Sequence, residues 1–276
     1  MSFEWLFLVS VVAGLIGTLG GVGPGIVLIP VLTFFGIHIK QAIAISTLSV
    51  IAIANSASIG HVRRHTPNLR VSAFLEVFAV LGAFVGALST LVLKKNILIL
   101  LCGIVFLVFA LFRWNQRNQN WKPVTEQDPL SQKLGWEGSY YDYAERRTVA
   151  YKGTHAAPAG ILMFGSGFLT TLLGFGANAF NVLIDDMVIG LPPKVSVTMN
   201  NFIIGVIALA GVNVYLEAGL LNPDLVAPVI PGIVVGALIG SKVLTQSRNE
   251  VIQRIFLMIL TGLGLVMIMK GLGCRR

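Results

Sequence analysis

Long runs of this chain carry no charged side chain, and this feature limits its fold more than any other. The four longest charge-free runs span residues 5–39, 41–62, 153–184 and 195–216. Only 12% of the 276 residues are charged and 55% are hydrophobic, whereas a soluble domain carries about 25% charged residues. A soluble globule of this size could not cover so much apolar surface. We therefore expect a polytopic protein that is surrounded by lipid and passes several times through the cell membrane.

The charged residues divide the chain into eight apolar segments. These segments lie near residues 5–35, 41–60, 72–93, 97–112, 155–189, 195–216, 225–244 and 252–269. Continuous runs predict membrane-spanning helices of about 20 residues, whereas the strands of bacterial barrels alternate in polarity over about ten. The predicted fold is therefore all-α. The net charge of +8 comes from basic residues in loops, a pattern that orients helices in a bilayer, so we expect no nucleic-acid partner.

One polar stretch divides the chain near its middle. It predicts a first membrane repeat at 1–113, a connecting loop at 114–154 and a second membrane repeat at 155–276. The aromatic residues of this stretch are Trp114, Trp121, Trp136, Tyr140, Tyr141 and Tyr143. We expect these rings to lie at the level of the lipid headgroups, where Trp and Tyr are enriched. The alternative is a loop that docks a partner protein.

The sequences on the two sides of this loop resemble each other. Residues 17–23 (GTLGGVG) align with residues 170–176 (TTLLGFG), and Val-Gly-Ala-Leu occurs at both 85–88 and 235–238. These anchors occur in the same order and predict an internal duplication. The loop after the second segment is basic and its counterpart in the second half is acidic, so the positive-inside rule favours inverted repeats. A plain arrangement of eight crossings, with both loops on one side, fits the basic residues about as well.

Glycine interrupts the first apolar segment of each half. The first half has Gly-Gly-Val-Gly-Pro-Gly at 20–25, and the second has Gly-Phe-Gly-Ala-Asn at 174–178. Inside a helix Gly costs about 1 kcal/mol and Pro about 3 kcal/mol relative to Ala, so both helices are predicted to break. Paired breaks point to the central site of a transporter, and free N–H groups at a helix start attract anions. The predicted substrate-binding residues are Gly21, Gly23, Gly25, Gly174, Gly176 and Asn178, unless the glycines only allow close helix packing.

Uncharged polar residues follow each break at matching positions. Ser46 and Thr47 align with Asn200 and Asn201 in the second half. We predict that Thr47, Asn200 and Asn201 donate side-chain hydrogen bonds to the anion. The alternative is that these side chains join neighbouring helices, as polar groups in membranes often do.

Three charged residues near these segments are candidates for attracting or coupling. Lys40 and Lys194 occupy equivalent positions and either extend to the membrane interface or draw anions toward the cavity. Asp185 is a candidate proton carrier. Its place beside the turn that begins at Gly190 favours an interfacial loop instead.

The sequence shows no pattern of an intramembrane enzyme. It contains no Gly-x-Gly-Asp element, no His-Glu-x-x-His pair and no Gly-x-Ser-x-Gly turn. We therefore predict no catalytic residue, no metal site and no cofactor. A Walker-type loop is also missing, so transport would draw on an ion gradient or on the gradient of the substrate. The segments carry no ring of acidic residues, which disfavours a cation channel.

The two glycine-rich elements resemble the sulfite exporter TauE/SafE family. Each is followed by a turn, a lysine and a helix rich in Ala, Ser, Thr or Asn, over residues 14–47 and 165–201. The four-segment halves extend the resemblance over nearly the whole chain. The second copy departs from the family pattern, because Ala177 and Asn178 stand where further glycine is frequent. The resemblance implies a secondary transporter of sulfur-containing anions such as sulfite, sulfoacetate or related sulfonates.

The predicted function combines these observations. The chain is expected to move a small oxyanion by alternating access, with the anion between the two breaks. A proton moved with the anion would offset its charge, and the sequence leaves this coupling open. It also leaves open the direction of transport and the oligomeric state, including a homo-oligomer. The alternative function is a non-transporting membrane subunit whose loop 114–154 docks a partner protein.

Overall fold

The structure is a computed structural model of a helical protein. It describes residues 3–20, 23–62, 68–115, 124, 126–142, 147–176, 178–246 and 249–272. The first half contains α1 (Phe3–Gly20), α2 (Gly25–Phe34), α3 (Ile39–Val62), α4 (Leu69–Val92) and α5 (Lys95–Asn115). The connector contains α6 (Pro129–Lys133), β1 (Glu137–Asp142) and β2 (Arg147–Lys152). The second half contains α7 (Ala156–Leu173), α8 (Asn178–Leu183), a π-helical segment (Ile184–Ile189), α9 (Pro193–Glu217), α10 (Pro223–Gln246) and α11 (Asn249–Gly271).

The lengths and apolar composition of the helices suit a membrane. Among the described residues, 4 helices are long and apolar enough to cross it: Leu69–Val92, Ala156–Leu173, Val195–Glu217 and Pro223–Lys242. Shorter apolar helices accompany them. Large apolar side chains such as Val92 and Leu111 are exposed on the surface, as expected where lipid covers the protein. Apart from interruptions near residues 20–25 and 174–178, the described residues of the predicted apolar segments are mainly helical, and the predicted all-α membrane fold is confirmed.

Helices of one half pack mainly on helices of the other. α1 packs along α10, α7 packs along α4, α3 packs on α9, and α5 packs on α11. In the α1–α10 contact, a methyl group on Gly236 would collide with the carbonyl oxygen of Val11. In the α4–α7 contact, a methyl group on Gly86 would collide with the carbonyl oxygen of Phe168. These two glycines therefore allow close helix packing, as small residues do in membrane helices.

The connector between the halves is folded. β1 and β2 form an antiparallel hairpin in which Gly138 pairs with Tyr151. Trp136, immediately before β1, is fully buried, and its ring meets that of Phe74 in α4 edge to face with centroids 5.4 Å apart. The Trp136 ring is therefore enclosed by protein, and its level relative to the headgroups stays a prediction. Its indole fills an apolar cluster formed by α4, α7 and α9, where burying a large ring is more favourable than exposing it.

Asp128 connects this folded connector to the start of α7. One carboxylate oxygen accepts a hydrogen bond from the Ser131 backbone N–H at 3.3 Å and so caps α6. The other oxygen accepts from the His155 N–H at 2.7 Å and from the Thr154 hydroxyl at 3.3 Å. Partial burial raises the pKa of Asp128. The hydrogen bonds lower this pKa by more than burial raises it, and the resulting pKa is about 2.

Candidate functional site

Both predicted helix breaks are present. α1 ends at Gly20 and α2 begins at Gly25, while α7 ends at Leu173 and α8 begins at Asn178. Each break uses left-handed backbone, with φ of 92° at Gly23 in the first and 68° at Gly174 in the second. Only glycine adopts such angles without steric cost. The local sequence therefore determines where both helices are interrupted.

The two breaks lie against each other inside the protein. A methyl group on Gly25 would lie 2.5 Å from the Phe175 Cα and would collide with the carbonyl oxygen of Gly174. A methyl group on Gly23 would collide with the carbonyl oxygen of Phe175. Main chain therefore meets main chain with no room for a side chain between them. Irregular backbone at membrane depth is tolerated where it is buried in protein in this way.

Side chains from α4 and α9 satisfy the last carbonyl groups of α7. The Thr90 hydroxyl donates to the Leu172 oxygen at 3.1 Å, and the Tyr215 hydroxyl donates to the Thr171 oxygen. The carbonyl groups at a helix end lack partners within the helix and need this kind of compensation. By contrast, the start of α2 is not capped by a side chain, because the capping position is Pro24. The first backbone N–H groups of a helix lack partners within it. At α2 these groups lie beside the contact between the breaks, since α2 begins at Gly25.

Two neighbouring hydroxyl groups in α3 differ in their hydrogen bonding. The Thr47 hydroxyl donates to the Ile43 oxygen at 2.9 Å within its own helix. The Ser46 hydroxyl is buried and has no hydrogen-bond partner among the described residues. It lies beside Gly25, since a methyl group on that glycine would come within 2.5 Å of the Ser46 oxygen. Ser46 rather than Thr47 therefore offers a hydroxyl to the first break.

The second half adds buried carboxamide and carboxylate groups. The Asn200 side chain donates to Asp185 Oδ2 at 2.7 Å and to the Ser196 carbonyl oxygen at 3.0 Å. Close to the second break, the Ser166 hydroxyl donates to Asn181 Oδ1. All four of these side chains are fully buried.

Asp185 does not lie in an interfacial loop, so that prediction is wrong. It belongs to the π-helical segment that continues α8, and its carboxyl group is enclosed by protein. The turn begins only at Gly190, where φ is 80°. Asn181 and Ser46 were not among the predicted site residues. The available signal was their sequence position, three residues beyond Asn178 and one before Thr47.

The remaining predicted residues are placed as follows. The Lys40 ammonium group donates to the Leu91 oxygen at 2.5 Å, at the end of α4, where the helix dipole favours a cation. Gly21 and the side chains of Asn178, Lys194 and Asn201 lie outside the described part of the structure. Within that part, no group of three or more His, Cys, Asp or Glu residues is arranged for a metal ion.

Long apolar helices with two interrupted helices in contact define a class: a multi-pass membrane protein built as transporters are. A family model described as sulfite exporter TauE/SafE matches residues 6–267, so the chain belongs to this family of membrane transporters. The chain is 23% identical over 281 residues to the probable membrane transporter protein YunE of Bacillus subtilis (strain 168), a match that covers 99% of each chain. No solved structure matches it significantly. The protein is therefore a multi-pass transporter of the cell membrane.

Proposed function

We propose that this transporter moves a small sulfur-containing oxyanion, such as sulfite, sulfoacetate or a related sulfonate, by alternating access. One observation carries the proposal: the interrupted backbone at Gly23 and Gly25 lies directly against that at Gly174 and Phe175. An anion bound beside this contact, where the closely packed main chains themselves leave no room, is reached from both halves of the protein at once. Relative motion of the halves then alters access to it.

The proposed anion site uses mainly backbone donors. The N-terminal end of α2 directs its positive dipole toward the contact, which favours an anion there. The N–H groups around Gly21, Gly23, Gly25, Gly174, Gly176 and Asn178 form the expected cradle. The Ser46 hydroxyl takes the role first expected of Thr47, because Thr47 is already engaged within α3. The amide groups of Asn178 and Asn201 complete the set of candidate donors, since both N–H groups of Asn200 are already bonded to Asp185 and Ser196.

The proposed motion follows from the pairing of helices across the halves. By their order in the two halves, α1 corresponds to α7, α3 to α9, α4 to α10 and α5 to α11. If corresponding helices are exchanged, the α1–α10 contact becomes the α7–α4 contact. The α3–α9 and α5–α11 contacts are each converted into themselves. This pattern is expected of two repeats related by a twofold axis. We extend the proposal to inverted repeats, in which one state opens to each side of the membrane.

Uptake of radiolabelled sulfite into proteoliposomes tests the substrate class. We expect the parent protein to take up sulfite in a saturable manner. Ser46→Ala should raise the KM for sulfite about tenfold, since a hydrogen bond to a charged group contributes roughly 1.5 kcal/mol. Ser49→Ala is the matched control, because Ser49 lies on the same helix but donates to the Ile45 oxygen at 2.8 Å.

Two outcomes would contradict the proposal, and they are distinct. Folded parent protein that takes up neither sulfite nor small sulfonates would reject the substrate class. Normal uptake with the same KM in Ser46→Ala and Ser49→Ala would reject the assignment of the first break as the anion site.

A further inference from the structure

Asp185 and Asn200 form a buried pair in which two oxygen atoms face the interior without a donor. One Asn200 N–H binds Asp185 Oδ2 at 2.7 Å, and the other binds the Ser196 oxygen at 3.0 Å. These two acceptors fix which end of the Asn200 amide carries the nitrogen. Asp185 Oδ1 and Asn200 Oδ1 are buried and have no hydrogen-bond partner among the described residues.

A single proton completes this pair. When Asp185 carries the proton on Oδ1, its O–H donates to Asn200 Oδ1 while Asn200 N–H donates to Asp185 Oδ2. In this protonation state we expect the acid and the amide to pair through two hydrogen bonds, which would give both oxygens a partner. Buried polar atoms without partners are costly, so their coincidence in one pair requires an explanation. We propose that the Asp185–Asn200 pair is the proton-binding site of this transporter.

The backbone around Asp185 supports a special role for this position. In the first half, α2 is flanked by two glycines with positive φ, Gly23 and Gly36. In the second half, α8 and the π-helical segment are flanked by two such glycines, Gly176 and Gly190. The second interval is one residue longer than the first. A π-helix takes up an extra residue, since each of its turns closes from i to i+5, and such segments occur frequently at functional sites. The extra residue therefore falls in the helix that presents Asp185.

Among the described side chains no basic group pairs with Asp185, so a proton is the proposed neutralising partner. Asp186 is the adjacent acidic group and is half-buried beside Ser196. α7 and α8 contain no Asp, Glu, Lys, Arg or His, and α9 carries only Lys194 in its first turn and Glu217 at its end. From the connector, Thr154 donates its N–H to the Ile189 oxygen at 3.0 Å, and the adjacent His155 is exposed. No described basic side chain forms an ion pair with Asp185.

This inference rests on the proposed function, since it supplies the ion that is coupled to the anion. The Asp185 carboxylate takes up a proton through Oδ1 while the site is open to one side. Binding of a singly charged anion at the breaks then gives a loaded state with the same charge as the empty site, in which the proton stays on the Asp185–Asn200 pair. Both are released on the other side, and the carboxylate is restored. The proton and the anion cross together without net charge.

Infrared difference spectroscopy tests the site without any transport assay. Purified parent protein, shifted between pH 5 and pH 9, should show the C=O stretch of a buried protonated carboxyl group. Labelling the aspartate carboxyl carbons with ¹³C should move this band to lower frequency, which needs no variant and no refolding. The band should be lost in Asp185→Asn, shifted in Asn200→Ala and unchanged in Asp224→Asn, whose carboxyl group is exposed at the start of α10. A band that is absent from the parent or retained in Asp185→Asn would overturn the assignment.

Sulfite transport then tests the coupling. In Asp185→Asn, exchange of sulfite across the membrane should persist, while accumulation driven by a pH gradient should fall at least tenfold. Asp224→Asn should retain both activities. Accumulation by Asp185→Asn at the parent level, or parent accumulation that follows a sodium gradient instead of a pH gradient, would overturn the coupling. Failure of all sulfite transport would reject the proposed substrate class and leave the infrared result on the proton site intact.

Discussion

The two helix breaks have similar backbones but different chemistry. Each interrupts the first long helix of its half at glycines with positive φ. After the first break, α2 is apolar, and its only polar side chain, Thr33, bonds to the Ile29 oxygen at 2.7 Å within the helix. After the second break, α8 and the π-helical segment bury Asn181 and Asp185. The first break therefore contributes backbone groups, and the second contributes titratable and amide side chains as well.

Under the proposed duplication and proton coupling, this difference assigns the coupling group to one half. The backbone contact between the breaks needs only glycine on both sides, and both halves have it. A coupling group is needed once, and a second buried carboxyl group would add the desolvation cost of another charge. The first half avoids this desolvation cost, because α2 is apolar.

The sidedness of the two halves is expected to give an all-or-none result. In a background without cysteine, Leu69→Cys and Asp224→Cys place a thiol at the exposed starts of α4 and α10. Inverted repeats predict that a membrane-impermeant maleimide labels these two thiols from opposite sides of the membrane. Both should react after solubilisation in detergent, which serves as the control. Labelling of both thiols from one side would show that the repeats are not inverted.

The contact between the breaks should be sensitive to one methyl group. Gly25→Ala places its methyl group against the main chain of Gly174 and Phe175, which cannot move as a side chain can. We expect a loss of about 1–3 kcal/mol or more, as for overpacking in a core, and a clearly lower melting temperature in detergent. Gly165→Ala is the matched control, because that helical glycine has open space around it. Equal melting of the two variants would contradict the close contact.

The chemical difference between the breaks can be tested by exchange. Leu28 and Asn181 each occupy the fourth position of the helix after the break, and both are fully buried. Leu28→Asn should destabilise the protein by about 1–3 kcal/mol, because the new amide lacks partners. The combined change Ser166→Ala and Asn181→Leu removes both members of a hydrogen bond and should cost less than about 1 kcal/mol. Thermal unfolding measures both losses of stability. A larger loss in the Ser166→Ala, Asn181→Leu double variant than in Leu28→Asn would show that the halves do not differ as described.

The connector gives the smallest expected effect, and it depends on pH. Asp128 has a pKa of about 2, below its ordinary value near 4. The folded connector therefore favours the carboxylate, and its contribution is complete above pH 4 and is lost as the pH falls toward 2. Asp128→Ala should remove about 1 kcal/mol from the local stability of α6 at neutral pH, as expected for loss of a helix cap.

Hydrogen exchange measures this effect through the protection factors of the amide groups of residues 130–137. They should fall about fivefold in Asp128→Ala. Glu126→Ala, which removes an exposed carboxyl group two residues earlier, should leave them unchanged. Protection in the parent that stays constant down to pH 2 would contradict the role of the Asp128 charge.

The helices and the places where they break follow from local residues alone. Apolar runs near the length of a membrane span predict helices, because only helices and closed barrels satisfy their backbone in lipid and barrel strands are shorter and alternate in polarity. Gly20 to Gly25 and Gly174 to Gly176 predict breaks because the cost of glycine and proline in a helix is local and does not depend on neighbours. The polar connector was identified in the same way, although its hairpin and the burial of Trp136 were not.

Which polar groups remain available and which are engaged depends on how the folded chain packs. Ser46 and Thr47 are adjacent and chemically alike, yet Thr47 bonds within its helix while Ser46 faces the first break. Asp185 precedes a turn in sequence but is enclosed by protein and bonded to Asn200. Hydrogen bonding and burial depend on atoms that distant parts of the chain bring together, whereas helix formation and helix breaking depend on each segment's own residues.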